Sequence, residues 1–535
     1  RRGGPRDRAY LSSSPFRSQP PTEPSNDLGA LLRGAAILGL TLPVSFARRL
    51  LAIGDPDPQR MEAGMMGSLK DLQDGLKKLV VSDSATRRSF DLVEIITANI
   101  IGIIGDGLLQ APDAFRSIDH LDYREWLARH GVDPAALDSP LLRGMYDLTF
   151  AYEDADTDRP RFSAGLGLQL ATRMLFAYSG GVFWKMRAGM GEVIFAALYQ
   201  VLRRRGVDFR FFHRVDALHV SAGGRSIESI DVGIQAETAS GEGAYAPLTE
   251  IGGIPCWPAA PLAGQLLRPE LVEGRDLESF WCPRTDHRTV TLRAGEDFDQ
   301  IVFAISAGMV PHLCAELVEA SPEWRAMASN LGTVATQSLQ LWLNVDEKEL
   351  GWRGNPGDVI SGFTEPFDTW ASMSHLVEYE NWPADAQPRS IAYFCSPLDT
   401  RARSVELASQ TVATHAREFL DRDVKALWPG CIGPEGFRWD LLCDPSPESG
   451  RIADAAASER LNSQYWRANV DPSDLYVQSL PGTDRYRLAP GETGFDNLAV
   501  AGDWTDCGLN AGCIEAATIS GQLAAKAVIK RSGSG

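Results

Sequence analysis

The residues best suited to chemistry cluster between 497 and 528. Leu498-Ala499-Val500-Ala501 reads as a short buried strand, and Gly502-Asp503 as the turn that ends it. A carboxylate just past a strand, at Asp503, is placed to accept hydrogen bonds from the hydroxyls of a sugar-like chain. A Gly-rich approach follows, through Gly508 and Gly512 to Cys513 and Ile514, where a helix begins. The first turn of a helix leaves N–H groups without intrahelical partners and carries partial positive charge, so anions and carbonyl oxygens bind well there. Small residues along the helix, Ala516, Ala517, Ser520, Gly521, Ala524 and Ala525, let it approach a sheet or a ligand closely. On these residues alone, an ordinary strand–turn–helix unit and a ligand-binding one are equally good readings.

Other reactive residue types form no such pattern. Lys185 and Arg187, beside Gly189 and Gly191, suit an anionic group, although a solvated pair is the plainer reading. The eight histidines show no metal-ligand spacing, and no Ser-His-Asp or Cys-His arrangement follows from spacing. The eight cysteines (256, 282, 314, 395, 431, 443, 507 and 513) contain no C-x-x-C pair. That argues against zinc and a disulfide scaffold, and for a reducing compartment or buried thiols. A net charge of −18 excludes wholesale nucleic-acid binding. No signal peptide is visible and no apolar run reaches the ~20 residues that span a bilayer, so a cytoplasmic location is expected.

The 535 residues suffice for two or three cores that position these groups. Residues 1–27, rich in Arg, Pro and Ser, read as a flexible arm, and residues 28–178 as mainly helical. Within that block Phe90 to Leu109 is the most apolar segment, read first as a core helix, then as a tunnel wall or a surface dipping into a membrane. Leu121 to His130 is amphipathic. From Ser179 a Gly-rich loop leads to a helix over 193–204 and a strand from Gly206 to Leu218. Residues 223–282 read as an irregular insertion, and 298–306 as a returning strand. Residues 311–485 carry strand patterns at 337–345, 390–395 and 437–442, with a helix at 405–427.

Ala501-Gly502-Asp503-Trp504-Thr505, Gly508-Leu509, Ile514-Glu515-Ala516-Ala517 and Ser520-Gly521 together resemble the C-terminal flavin motif of one superfamily. Its members include flavin amine oxidases, phytoene desaturases and hydroxysqualene dehydroxylases. The loop, helix and strand over 179–220 and the strand at 298–306 resemble two further segments of it. The resemblance implies FAD as cofactor. It implies an α/β (α+β) fold: a Rossmann-like FAD-binding domain incomplete at its N-terminus, an antiparallel-sheet substrate domain and a helical insertion. The FAD domain would take residues 179–310 and 486–530, the substrate domain 311–485 and the helical substrate-side block 28–178. By resemblance Asp503, with Gly502 and Trp504, meets the ribityl-pyrophosphate region, Gly512, Cys513 and Ile514 face the flavin carbonyls, and Val215 lies along the adenine. Gly512-Cys513 adds a residue before Ile514-Glu515 relative to the family pattern.

The superfamily's strand–Gly-x-Gly-x-x-Gly marker is missing, since Gly102 to Gly107 has the wrong spacing. Three expectations compete: a second chain or cleaved fragment supplies it, it lies outside this sequence, or FAD binding is lost. The implied activity is removal of a hydride from a C–C or C–heteroatom bond of a hydrophobic, isoprenoid- or carotenoid-like substrate. The alternatives are an amine or L-amino-acid oxidase and a partner-dependent, non-catalytic subunit. Amine oxidases of the superfamily often hold a Lys on the strand matching Thr336 to Val345, where this sequence has none before Lys348. The sequence assigns no catalytic side chain, and it leaves peripheral membrane contact through residues 93–109 as an expectation.

Overall fold

The computed structural model describes residues 84–108, 114–173, 184–241, 244–355, 357–380, 382–383, 386–399, 404–444 and 457–533, with 67, 69–71 and 73–75. The arm at 1–27, the helices expected before residue 67 and the loop at 179–183 lie outside these residues. The chain divides into two compact units, residues 1–101 and 102–535.

In the first unit, helix α1 (Ser84–Gly105) runs up to and past the boundary. Val93, Ile95, Ile96, Ala98, Ile100 and Ile101 are all buried. The polar residues among them turn inward on the helix itself: Thr97 Oγ1 donates to the Val93 carbonyl and Asn99 Nδ2 to that of Ile95. Such local bonds let a helix be buried on most sides. Among the described residues no helix is long and apolar enough to cross a membrane.

The second unit is a mixed helix-and-sheet fold. It opens with α2 (Tyr123–Arg129), α3 (Pro140–Leu148) and α4 (Ala164–Thr172), each started by a capping side chain, Asp122, Ser139 and Ser163. Gly102 serves packing, because a Cβ there would lie 2.3 Å from the Trp126 ring. A π-helical turn over Gly191–Ala196 leads into α5 (Ala197–Arg204), which buries no residue of its own.

The strand expected from Gly206 begins only at His213. Residues 207–212 lack a ladder, and Phe212 takes a left-handed φ of 61°. The strands β1 (His213–Val220), β2 (Ile227–Ile234) and β3 (Arg288–Arg293) form an antiparallel sheet in that order. Strand β2 corrects the reading of 223–282 as irregular. Gly224, at φ 70°, makes the hairpin turn, and Glu228, Ser229, Asp231 and Gly233 between the apolar residues hid the strand. Next come β4 (Ile301–Phe303), α6 (Ala315–Ala320) and α7 (Pro322–Asn330).

The largest sheet comprises β5 (Thr336–Leu343), β6 (Val359–Ile360), β7 (Thr369–Ser372), β8 (Ser390–Pro397) and, after helix α8 (Val405–Arg422), β9 (Tyr465–Asn469). The order is β9-β5-β8-β7-β6, antiparallel throughout. One face, with Leu339, Leu341, Phe394 and Trp370, is buried with Val412, Ala416 and Phe419 of α8. By alternation the other face carries Ser338, Gln340, Tyr393, Cys395, Tyr465 and Arg467. The strand expected at 437–442 is only Gly436–Phe437, followed by a 3₁₀ turn over Trp439–Leu441. Phe437, Leu441 and Leu442 are buried at a spacing that no strand provides. The chain ends with β10 (Leu498–Val500), parallel to β4, and α9 (Ile514–Ser532).

Candidate functional site

Asp503 sits just beyond the C-terminal end of β10, whose three residues are fully buried. The turn before it demands glycine: Gly502 has φ 143°, and a Cβ there would lie 2.5 Å from Trp504 Nε1. Trp504 Nε1 instead donates to the Ile305 carbonyl at 3.1 Å. Ser520, one of the small residues of α9, accepts from the Gly502 N–H at 3.1 Å and pairs with the Thr505 hydroxyl at 2.6 Å. The turn is thereby fastened to the helix.

The Asp503 carboxylate accepts no hydrogen bond from any other described residue. Burial pushes its pKa up, and Arg487 pulls it part of the way back. Gly512 faces it, since a Cβ at Gly512 would stand 3.7 Å from Asp503 Oδ2 and 3.5 Å from the Val477 carbonyl. Cys513 then occupies the N-cap of α9 in an extended conformation without a side-chain capping bond, and Ile514 opens the helix. The turn at 502–504 and the helix start at 512–514 therefore converge. Val215 lies in β1 beside an irregularity at Asp216, and it packs against the apolar cluster that contains Trp504, Leu498 and Val500. Arg214 fixes that irregularity by bridging Asp216 at 2.8 Å and Asp286 at 2.6 Å.

Asp503 and Trp504 line a cleft of about 260 Å³ together with Ser306, Leu475, Tyr476 and Val477. A buried hydrogen-bonded network that reaches the Asp503 backbone escaped the sequence reading. Arg487, buried, donates to the Asp503 carbonyl at 2.9 Å, the Gln478 carbonyl at 3.3 Å and Ser479 Oγ at 3.1 Å. Gln478 Nε2 in turn donates to the carbonyls of Phe150 at 2.9 Å and Tyr152 at 2.7 Å. Phe150, at a left-handed φ of 48°, stands 5.0 Å from the Tyr476 ring. No periodic signal marks Gln478 or Arg487.

Tyr476 leaves 46% of its surface uncovered, yet its hydroxyl is desolvated and lies within electrostatic reach of both Cys395 and Asp503. Tyr393 interacts likewise with Cys395, Tyr476 and Tyr465. The non-core face of the large sheet therefore runs into the Asp503 cleft. Burial raises the phenols of Tyr393 and Tyr476, and pushes the Cys395 thiol up to about 12. Cys507 and Cys513 are raised as well, by burial first, so all three cysteines favour the neutral thiol. Among the described residues no lysine lines the cleft. Lys185 and Arg187 are both exposed, and each is held by a hydrogen bond: Lys185 Nζ donates to the Ser372 carbonyl at 2.5 Å, and Arg187 Nε to the Tyr379 hydroxyl at 2.5 Å. No group of three or more potential metal ligands is present among the described residues.

Residues 281–529 match the family model of flavin-containing amine oxidoreductases, just under half of the chain. No curated protein matches the chain. Solved structures that align with it include an oxidoreductase from Methanosarcina mazei, at 12% identity and TM-score 0.40, over 76% of this chain and 68% of that one. A putrescine oxidase variant aligns at 10% identity and TM-score 0.40, over 89% of this chain and 78% of its own.

Proposed function

We propose that the chain is an FAD-dependent oxidoreductase akin to the flavin-containing amine oxidoreductases, and that it oxidises a C–C or C–heteroatom single bond of a hydrophobic small molecule, isoprenoid-like in character. The observation that carries this reading is the sheet face bearing Tyr393, Cys395 and Tyr465, which meets the cleft beside Tyr476 without a lysine among its described residues. Aromatic rings and neutral thiols suit an apolar chain and exclude water from it.

The residues fit the cofactor. Asp503, a desolvated carboxylate without a protein donor, would take the hydroxyls of the ribityl chain, flanked by Gly502 and Trp504. Gly512, Cys513 and Ile514 would present the helix start to the flavin carbonyls, and Val215 would lie along the adenine. Bound there, the flavin supplies the two-electron acceptor. The chain's own part is to hold the substrate against the tyrosine face and to keep the cleft dry.

The pyrophosphate end of the site would be completed by a polypeptide segment with a strand and a Gly-x-Gly-x-x-Gly turn. Two observations support this. The pair β4–β10 is a two-stranded parallel sheet with Val302 46% exposed, whereas parallel sheets are ordinarily covered on both faces. The run Val207-Asp208-Phe209-Arg210-Phe211 has strand-forming residues but no strand neighbour.

An amine or L-amino-acid oxidase is the second reading, favoured by the family match and by tyrosines that could flank a cationic amine. The test is anaerobic bleaching of the flavin spectrum, after reconstitution with FAD, by isoprenoids, amines and amino acids in turn. Bleaching by isoprenoids supports the first reading. Bleaching by amines alone overturns it. A chain that holds no flavin after desalting, with or without added FAD, points to the missing segment.

A further inference from the structure

Residues 506–512 join the Asp503 turn to the start of α9 and form neither helix nor strand, so their course depends on individual hydrogen bonds. Inside the loop, Gly508 takes a left-handed φ of 83°, and Asn510 Oδ1 accepts from the N–H groups of Cys507 and Gly508 at 3.0 and 3.2 Å. From nearby in the chain, the Leu488 carbonyl accepts from the Asp506 N–H at 2.9 Å, and Ser479 Oγ donates to the Asn510 carbonyl at 3.1 Å. Two further ties come from the helical block, far earlier in the sequence. Gln169 on α4 donates through Nε2 to the Gly508 carbonyl at 2.9 Å. Arg116, in a 3₁₀ turn over Ala114–Ile118, bridges Asp484 through Nε at 3.1 Å and Asp506 through Nη2.

Asp484 is the hub of these ties. It faces Arg116, lies 3.7 Å from Arg487 Nε and accepts from Asn510 Nδ2 at 2.6 Å, while the same Nδ2 donates to Asp506 at 3.2 Å. Two carboxylates that share one amide nitrogen stand side by side, and a guanidinium that touches both offsets their repulsion. Arg487 links the same hub to the Asp503 carbonyl, so the Asp503 turn and the 506–512 loop refer to one carboxylate. The seat of Arg116 is itself fixed. Gly165 lets the 3₁₀ turn lie against α4, where a Cβ would stand 2.3 Å from the Phe115 carbonyl. Asp119, buried just after that turn, accepts from Ser163 Oγ at 2.6 Å and from the Asp484 N–H at 3.3 Å.

We propose that Arg116 is a positioning residue for the cofactor: it clamps Asp506 to Asp484, and so holds residues 506–512 where Gly512, Cys513 and Ile514 present the start of α9 to the flavin. This rests on the FAD reading given above. Arg116 does not line the Asp503 cleft, so it acts through the loop. A methionine at 116 keeps the stem of the side chain and removes its charge. A lysine keeps the charge but lacks the fork that reaches two carboxylates. Without the clamp the loop samples more positions, and FAD has to order it on binding, which weakens affinity.

The test compares wild type, Arg116→Met and Arg116→Lys in the full chain, by amide hydrogen exchange without cofactor, by FAD titration and by the visible spectrum of the bound flavin. Arg116→Met is expected to speed exchange over 507–512 by about 10-fold and to leave β5 and β8 unchanged. It should raise the FAD dissociation constant about 3- to 10-fold and shift the flavin band, with Arg116→Lys falling between it and wild type. Unchanged exchange or unchanged affinity in Arg116→Met overturns the proposal. A lower thermal midpoint with the wild-type affinity and spectrum overturns it too, because Arg116 would then serve stability alone. A wild type that takes up no FAD removes the cofactor role together with the preceding reading, and the exchange measurement still decides whether Arg116 holds the loop. Should Arg116→Met fail to fold, Arg116→Lys carries the same three measurements.

Discussion

The five-stranded antiparallel sheet covers one entire face with α8, and Leu339, Phe394 and Trp370 are fully buried there. The parallel pair β4–β10 makes a contrast. Its inner strand is sealed, but Val302 in the middle of its partner is 46% exposed. An antiparallel sheet can stand with a single covered face, whereas parallel strands are stable only as part of a larger covered layer. The difference teaches that the five-stranded sheet is complete in itself and the parallel pair is covered from one direction only.

The sharpest way to break that comparison is to truncate a side chain in each sheet. Phe394→Ala removes a ring enclosed by Phe367, Phe419 and Trp428, and should cost about 3–5 kcal/mol in urea unfolding. Val302→Ala should cost no more than about 0.5 kcal/mol in the same assay. Equal costs would mean the two sheets are alike.

The next effect separates binding from stability. Asp503→Ala should weaken FAD binding by about 10- to 100-fold, the worth of roughly 1.5–3 kcal/mol for hydrogen bonds to a charged group. The same change should leave the melting temperature of the cofactor-free chain unchanged or higher, because it removes a desolvated carboxylate. Weakened binding together with a lower melting temperature would make Asp503 structural instead.

Gly502→Ala should cost about 1–3 kcal/mol, since the new methyl group meets the Trp504 indole and the backbone is left-handed. Tryptophan fluorescence would report the displaced ring. A neutral outcome would show that the turn at Gly502 has room for a side chain.

The smallest effect concerns His219, which bridges Glu316 at 2.8 Å and Asp231 at 2.9 Å, with its side chain 34% exposed. Hydrogen bonds that its ring N–H groups donate to these carboxylates, Glu316 first, hold its pKa above the ordinary 6.5. Stability from the imidazolium is therefore full below that value and fades as pH rises through the raised one. Calorimetry should find a modest decline toward alkaline pH that His219→Gln abolishes, with solvent screening keeping it small. An undiminished decline in the variant would remove His219 as its source.

What could be read from the sequence was local. Gly502, Asp503 and Trp504 lie within ten residues of Gly512, Cys513 and Ile514, so a strand, a turn and a helix suffice to bring them together. The strand at 301–303 and the alternation of β5 and β8 were legible for the same reason, as was α8. The tyrosine wall was not, because Tyr393, Tyr465 and Tyr476 come from separate strands whose register only the folded sheet sets. Arg487 escaped because its partners are mostly backbone carbonyls, which carry no sequence signature. Strand β2 was hidden by its own polar residues, and the strand pattern at 207–212 promised a ladder that residues further along did not supply.

A guanidinium shut away from water, with the carbonyls of Asp503 and Gln478 both leaning on it, has no solvent to exchange partners with. The spacing between the Asp503 loop and the Tyr476 strand is therefore set before anything enters. A visitor to the cleft loses none of its affinity to shaping the walls. Its arrival is then limited by encounter at the rim, and successive visitors of different shape meet the same rigid gauge.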